Sequence, residues 1–466
     1  MYSLIWAPYL FLIFYLYNDR IKRIYAASII ILCALLGYKL PIFSGFQAPL
    51  FHVGVVFTMG LLFVQIAIYQ SKILCDRFLF KIVAVYSGFF FLSVLFNFQE
   101  SVTIPTYLVR LIGYFPLFVL TIVSLNSKKD INTLLTAIVI SGIVMAIIGI
   151  GQYVYNDSLW GIQSTRKIIG SGESYFTESI TIGKGSILGF RVSSSASNPN
   201  SFSAVMCMTL VLSSYLISIY KNRLILIILY GGMLLQLIGL IISGSRTGLV
   251  TIVVIFAWKF IHSLRTRSVF KKIPQIFIVI SIISIVFVNS AFYDDYFKKN
   301  VIARYERILE KGEQSFFSGG VRMERAWIPY LKRIEPEMFV IGYGTPGIPT
   351  EEDTDQMSRT THNDLLAILY FSGFWGFLAF LCILFRYFYV IRYIPDSRLR
   401  QTLMLVMVAY LLFGVSAESF IHKGQPFIFW PLIALAARRS LLFDGKDLFN
   451  NSKDCQHKTM VIDDRK

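Results

Sequence analysis

Long runs of apolar residues, many of them close to 20 residues in length, are the feature that most constrains this chain. A helix of about 20 apolar residues crosses the hydrocarbon core of a bilayer. With 55% hydrophobic and only 15% charged residues, the 466-residue chain has too little polar material to coat several soluble domains. The sequence therefore predicts an all-α, polytopic transmembrane helix bundle of about 12–13 spans. The runs lie at about 3–17, 24–38, 50–69, 79–97, 107–125, 132–154, 199–219, 223–243, 247–263, 273–292, 364–386, 402–420 and 425–437.

The positions of Lys and Arg indicate which side of the membrane each connection faces. Short loops rich in these residues stay in the cytoplasm. Most of the 44 Lys and Arg residues fall in alternate short connections and in the C-terminal tail. This pattern makes two long loops external, at about 155–198 and 293–363, and places the N-terminus outside and the C-terminus inside. The cytoplasmic segments are 20–23, 72–81, 128–129, 221–223, 259–272, 386–400 and the tail.

The net charge of +17 does not indicate a nucleic-acid partner. The basic excess is divided among many short loops, as membrane insertion requires, and no nucleic-acid-binding motif accompanies it. We expect membrane lipid to surround the protein, and we expect no nucleic-acid partner. Residues 1–440 are predicted to form a single transmembrane domain, and 441–466 a polar cytoplasmic tail.

The first long external loop ends at Arg191 and a polar run that leads to Asn198 and Pro199. Asn198 is predicted to be the N-cap of the next helix, with Pro199 at the first helical position. Arg191 is different, because an arginine at the membrane face of a loop costs little in water and can hold a phosphate or diphosphate through two hydrogen bonds. Arg191 is therefore a candidate anion-binding residue.

The short connection Ser-Gly-Ser-Arg-Thr-Gly at 243–248 carries the second candidate arginine, Arg246. No acidic residue lies within this connection to pair with it. A charged residue at the end of a buried helix is by default a candidate functional residue. The alternative is an arginine that extends to lipid headgroups, but the small polar neighbours favour a turn that faces the protein interior.

The second long loop is predicted to be partly helical. An amphipathic stretch begins it, and Arg322, Arg325 and Trp327 open a further helix after the Ser-Gly-Gly at 318–320. Trp327 could stack on a sugar ring, although aromatic residues at membrane interfaces are common. Gly342, Gly344 and Gly347 suggest a flexible turn at 342–347.

His362 closes that loop at the start of a transmembrane helix and is the main candidate for chemistry. Its ordinary pKa, about 6.5, allows a histidine to accept and give protons near neutral pH. The alternative is a purely structural helix start, in which Asn363 or Thr361 caps the helix. Asp364 either orients the imidazole or complements the positive helix N-terminus; the sequence favours the second role.

In order along the chain, these motifs resemble the O-antigen ligase and polymerase superfamily. The resemblance covers residues 180–380: Arg191 before Asn-Pro-Asn, SGSRTG, a loop arginine near a tryptophan, a Gly-x-Gly turn and Thr-His-Asn-Asp-Leu-Leu. It implies a metal-independent glycosyltransferase without cofactors at the external face of a bacterial inner membrane, with periplasmic loops. Its donor is a saccharide on a polyprenyl diphosphate, normally undecaprenyl diphosphate.

By that resemblance, Arg191, Arg246 and Arg322 would bind the donor diphosphate and His362 would be the catalytic base. Arg325, Trp327, Asn363 and Asp364 would have supporting roles. The implied product is a surface polysaccharide such as O-antigen, capsule or exopolysaccharide, made by polymerising lipid-linked repeat units.

Two alternatives stay open from sequence. A ligase would transfer the finished glycan to lipid A core or to protein. The paired R-x(10)-G motifs of some polymerases are absent, because Phe202 and Arg333 stand eleven residues after Arg191 and Arg322. The choice between polymerase and ligase therefore stays open.

The second alternative is a flippase or transporter, which would need intramembrane charges or discontinuous helices around a midplane cavity.

Overall fold

The architecture is taken from a computed structural model. Within the residues that the structure describes, the chain forms a helix bundle, which confirms the predicted helical membrane fold. The described residues are 3–36, 39–43, 46–69, 75–96, 115–155, 192–196, 198–264, 328, 331, 336–344, 363–416 and 424–442. The helices are α1 Ser3–Asn18, α2 Arg23–Leu36, α3 Leu50–Tyr69, α4 Arg77–Phe96, α5 Phe115–Ser124, α6 Lys128–Tyr155, α7 Pro199–Ile219, α8 Arg223–Ile242, α9 Arg246–Leu264, α10 Pro336–Ile341, α11 Asp364–Ile391, α12 Ser397–Ser416, α13 Pro426–Ala437 and α14 Arg439–Leu442.

Six of the described helices, α4, α6, α7, α8, α11 and α12, are long and apolar enough to cross a membrane. Shorter apolar helices accompany them, including α5 and α13. Every predicted apolar run falls at least partly on a described helix except the one at 273–292, which lies outside the described residues. The tail beyond Leu442 also lies outside them, so its cytoplasmic placement stays a prediction.

Contacts between helix ends show that α7 runs antiparallel to α6 and to α12, as the alternating charges predict. At one end, a Cβ added to Gly149 of α6 would touch the Phe202 ring of α7. At the other end, an Arg398 Nη1 of α12 donates to the Ser218 carbonyl of α7 at 3.1 Å. We call the first end, where α6 stops and α7 and α11 begin, the loop end. The opposite end is the basic end.

Helix α7 lies at the centre of the bundle, since 15 of its 21 residues are buried. It packs against α6, α8, α9 and α12, while α13 fills the space beside α4 and α11. In α13 the Trp430 ring lies among the rings of Phe118, Tyr86 and Phe429. This aromatic cluster fixes how α4, α5 and α13 sit relative to one another.

The start of α7 confirms the predicted cap. Asn198 has extended backbone angles (φ −147°, ψ 133°), and its side chain accepts a hydrogen bond from the Asn200 N–H at 2.8 Å. Pro199 occupies the first helical turn, where the missing N–H has no intrahelical partner to lose.

A short antiparallel hairpin is the one described departure from the predicted all-α chain. Strands β1 Lys39–Phe43 and β2 Phe46–Pro49 pair between α2 and α3, with Lys39 opposite Pro49. Pro41 and Pro49 disfavour a continuous helix through this connection. The hairpin leaves the helical architecture of the domain unchanged.

Candidate active site at the loop end of the bundle

The connection at 243–248 is a tight turn in which the small residues have structural roles. The Ser243 Oγ donates to the Leu240 carbonyl at 2.6 Å and accepts the Ser245 N–H at 3.2 Å. Gly244 has a φ of 59°, which favours glycine. The Gly248 N–H donates to the Ser245 Oγ at 3.3 Å, so Ser245 caps α9.

Arg246 is the first residue of α9, directly after that capping serine. Two residues later, Gly248 lies so close to α7 that any Cβ would collide with the Ser203 Oγ. The Cys207 Sγ also reaches the Gly248 carbonyl at 3.4 Å. The turn is therefore pinned to α7, and none of these contacts requires an arginine at position 246. The side chain of Arg246 lies outside the described part of the chain.

The segment 192–196, which directly follows Arg191, is buried inside the loop end. Its 3-10 turn is held by two serine side chains. The Ser194 Oγ donates to the Met145 carbonyl of α6 at 2.7 Å, and the Ser195 Oγ donates to the Leu35 carbonyl of α2 at 2.6 Å. These bonds fix the chain immediately after Arg191.

A buried amide beside this turn was missed by the sequence reasoning. Gln425 precedes α13 and is fully buried, and neither polar atom of its side chain has a hydrogen-bond partner among the described residues. A Cβ on the adjacent Gly424 would contact the Ala196 Cβ at 3.8 Å. The signal in the sequence was a glutamine at the start of a strongly apolar run. Burying an amide without hydrogen-bond partners costs free energy, so a polar residue at that position indicates a candidate functional residue.

The start of α11 shows which residue caps this helix. The Asn363 Oδ1 accepts the Leu366 N–H at 3.0 Å, and its Nδ2 reaches the Val415 carbonyl of α12 at 3.4 Å. Asn363 is therefore the cap, as one of the structural alternatives proposed, and the helix needs no capping group from His362. His362 itself lies outside the described residues.

Asp364 occupies the first position of α11 and is 3% exposed. A Cβ added to Gly414 of α12 would lie 2.9 Å from the Asp364 Oδ2, so the carboxyl group lies directly against that glycine. A carboxylate in the first turn complements the helix dipole, as predicted. Its burial against α12 also fixes the start of α11, which the sequence did not indicate.

Helix α11 is broken one third of the way along its length. Gly373 has a φ of 67° and a ψ of −177°, which no helical residue adopts. The freed carbonyls of Tyr370 and Phe371 accept the N–H groups of Tyr343 and Gly344, at 2.7 and 2.9 Å. In an apolar medium these bonds matter, because an unsatisfied backbone group costs several kcal/mol.

The turn at 342–344 therefore differs from the flexible turn predicted by its glycines. Gly342 and Gly344 are buried and have φ values of 83° and 65°. The Tyr343 ring stacks on the Tyr370 ring with centroids 4.3 Å apart and planes 10° from parallel. Glycine is needed here for close backbone approach as well as for φ. Gly347 lies outside the described residues.

The structure places three of the predicted site residues at one end of the bundle: Arg246 by its backbone, and Asn363 and Asp364 with their side chains. The predicted residues that lie outside the described part of the chain are Arg191, Arg322, Arg325, Trp327 and His362.

Residues 231–381 match the family model described as O-antigen ligase. Over these residues, about a third of the chain, the protein is similar to the O-antigen ligase family. The matched region begins within α8 and ends within α11, so it includes Arg246, Arg322 and His362 but not Arg191. It confirms the family resemblance and supports a role in ligation or polymerisation of glycans during polysaccharide biosynthesis, in a multi-pass membrane protein. No curated protein matches the chain.

Proposed function

We propose that the protein polymerises oligosaccharide repeat units, carried on undecaprenyl diphosphate, into a bacterial surface polysaccharide. The observation that carries this proposal is the O-antigen ligase domain at 231–381, which contains the loop arginine, the turn arginine and the histidine singled out by sequence. We place the enzyme in the bacterial inner membrane with its loop end facing the periplasm. The alternating Lys and Arg pattern supports that orientation.

In the proposed reaction, His362 accepts the proton of an acceptor sugar hydroxyl. The hydroxyl oxygen attacks the anomeric carbon of the donor sugar, and the bond from that carbon to the diphosphate oxygen breaks. The electron pair of the broken bond leaves with the polyprenyl diphosphate. The proton released by the acceptor stays on the imidazole until water removes it.

Arg191, Arg246 and Arg322 would bind the diphosphate. Negative charge on the leaving oxygen grows as the glycosidic bond breaks, so guanidinium groups at that oxygen stabilise the transition state more than the ground state. Arg325 and Trp327 would support donor binding in the same loop. Asn363 and Asp364 would fix the helix start beside His362, a role that their contacts with α12 support.

The ligase alternative shares the donor and the leaving group with the polymerase and differs in its acceptor, which is lipid A core or protein rather than a lipid-linked repeat unit. The transporter alternative gains some support from the break in α11, since discontinuous helices are typical of transport sites. At the break, however, backbone N–H groups of residues 342–344 and the hydroxyl of Ser93 in α4 donate hydrogen bonds to the freed carbonyls. These bonds favour a fixed structural joint.

The test is transfer by the purified protein, given a defined polyprenyl-diphosphate-linked repeat unit and two competing acceptors, a second repeat unit and lipid A core. We expect longer lipid-linked glycan and one released polyprenyl diphosphate for each new bond. His362→Ala should reduce the rate at least about 1,000-fold, because the hydroxyl then lacks its base.

His262→Ala is the matched control for that variant, since His262 lies in the last turn of α9 at the basic end. It should retain full turnover. Full activity of His362→Ala would remove this histidine from the reaction. Glycan delivered to lipid A core alone would replace the polymerase by the ligase. Movement of intact donor across a vesicle bilayer, with no new glycosidic bond, would favour the transporter.

A further inference from the structure

The external third of α11 is a short helical segment held at both of its ends. It runs from the cap at Asn363 to the break at Gly373, a length of about 13–15 Å at 1.5 Å per residue. Its first turn is fixed on α12 through Asn363 and Asp364. Its last turn is fixed by the turn at 342–344.

Ser93 of α4 completes the joint at the break. Its buried Oγ donates to the Phe371 carbonyl at 2.5 Å, the same carbonyl that accepts the Gly344 N–H. Ser93 lies outside the O-antigen ligase domain at 231–381. Helices α4 and α11 nevertheless form the most extensive contact among the described helix pairs, so α4 is the wall against which the joint is built.

The joint has almost no room for adjustment. A Cβ on Gly344 would lie 2.6 Å from the Ser93 carbonyl oxygen, whereas ordinary contacts begin at 3.4 Å. A Cβ on Gly342 would collide with the Gly373 nitrogen, and one on Gly373 with the Val340 carbonyl oxygen. All of these atoms belong to the backbone, which cannot rotate aside as a side chain can.

The two described residues that flank the segment 345–362 both belong to, or contact, this same part of α11. The segment leaves from Gly344, which is bonded to Phe371, and rejoins the described chain at the cap, Asn363. His362 is the residue immediately before that cap. The height and rotation of the short helical segment therefore set the position of Asn363, the residue to which His362 is bonded.

We propose that the turn Gly342–Gly344 and Ser93 are positioning elements for glycosyl transfer, which set the location of His362 by fixing residues 363–372 of α11 between α4 and α12. This inference rests on the proposed function. None of these residues is expected to touch substrate. Their effect on the reaction passes through the placement of the base, and a displacement of about 1 Å can cost roughly 100-fold in rate.

The decisive variant is Gly344→Ala, which must move the turn by about 0.8 Å to restore an ordinary contact. We expect kcat to fall about 100-fold in the purified transfer assay, while the KM for the lipid-linked donor stays within about twofold. Gly88→Ala is its control, because a Cβ on that α4 glycine meets nothing within 4 Å and full kcat is expected.

A milder pair separates positioning from folding. Ser93→Ala removes one of two donors to the Phe371 carbonyl and should lower kcat about fivefold with an unchanged donor KM. Ser87→Ala is matched to it in helix and chemistry, since the Ser87 Oγ bonds only the Val83 carbonyl of its own helix among the contacts described, at 2.9 Å. That control should keep full turnover.

Folded protein is measured for every variant by the monodisperse fraction in size-exclusion chromatography, and kcat is expressed per folded molecule. Full kcat in Gly344→Ala overturns the inference, as does a rise in donor KM without a fall in kcat. A loss of activity that only follows a loss of folded protein also overturns it. An inactive wild type with intact folding instead overturns the proposed function, and the inference with it.

Discussion

Helix α11 is joined to α4 at two places, near the basic end and at the break towards the loop end, and the two joints use different chemistry. At the basic end the Arg386 Nη2 lies 2.5 Å from the Asp76 Oδ2, and Asp76 also caps α4 by accepting the Leu79 N–H at 3.0 Å. At the loop end the joint consists of backbone carbonyls, backbone N–H groups and the hydroxyl of Ser93.

The difference shows which properties each joint can control. The basic-end ion pair is made by the tips of two side chains, so other side chains can adapt when it is lost. The loop-end joint places backbone against backbone at glycines, so a single added methyl group has to move a helix. We therefore expect changes at the basic end to alter stability, and changes at the loop end to alter the reaction rate.

The largest effect should come from Gly373→Ala. A φ of 67° is strained for alanine, and its Cβ would collide with the Val340 carbonyl oxygen. We expect kcat per folded molecule to fall by more than about 100-fold, since the short helical segment must tilt or shift. The measurement is turnover in the purified transfer assay.

Gly231→Ala in α8 is the control for that substitution, because a Cβ there meets nothing within 4 Å. Alanine should even favour the α8 helix slightly. Wild-type kcat in Gly373→Ala would show that the break is not needed for the reaction.

The next effect is on stability. Arg386→Gln leaves the Asp76 carboxylate, whose side chain is 6% exposed, without its ion-pair partner. Loss of one partner of a fully buried pair costs about 3–5 kcal/mol, and we expect about 2 kcal/mol here because the Arg386 side chain is 22% exposed. Thermal unfolding in detergent should show a lower Tm, with kcat per folded molecule unchanged.

Arg392→Gln removes the same charge from the same end of α11 and is the matched control. Arg392 lies over the rings of Tyr389 and Tyr393 and has no ion-pair partner among the described residues. Its Tm should change little. Equal losses of Tm in the two variants would assign the effect to net charge rather than to the pair with Asp76.

The smallest effect should come from the cap of α11. Asn363→Ala removes the acceptor for the Leu366 N–H and should cost about 1 kcal/mol, with a few-fold lower turnover. Asn363→Ser keeps a capping oxygen and should restore both values, by thermal unfolding and by the transfer assay. A serine variant as slow as the alanine variant would show that the amide does more than cap the helix.

Local patterns made much of this fold predictable. Apolar runs and alternating Lys and Arg residues are short-range signals, so they gave the helices and their up-and-down order. The caps at Asn198 and Asn363 followed from residues next to the helix starts. The same kind of signal pointed to Arg246 and His362, because a charged or titratable residue at the end of an apolar run is conspicuous.

The break in α11 could not be predicted in the same way. The sequence of α11 is apolar on both sides of Gly373, and a glycine in a membrane helix is ordinary. The break exists because residues 342–344 and Ser93, distant in sequence, supply hydrogen bonds that the helix gives up. The burial of Gln425 likewise depends on the packing of α13 beside the turn at 194–196.

The most direct measurement is kcat per folded molecule and Tm for Gly373→Ala and Arg386→Gln, side by side with the wild type. We predict that Gly373→Ala loses turnover by more than about 100-fold with donor KM preserved. Arg386→Gln should lose thermal stability and keep its turnover. Full turnover in Gly373→Ala, or loss of turnover in Arg386→Gln without unfolding, would contradict the division of roles between the two ends of α11.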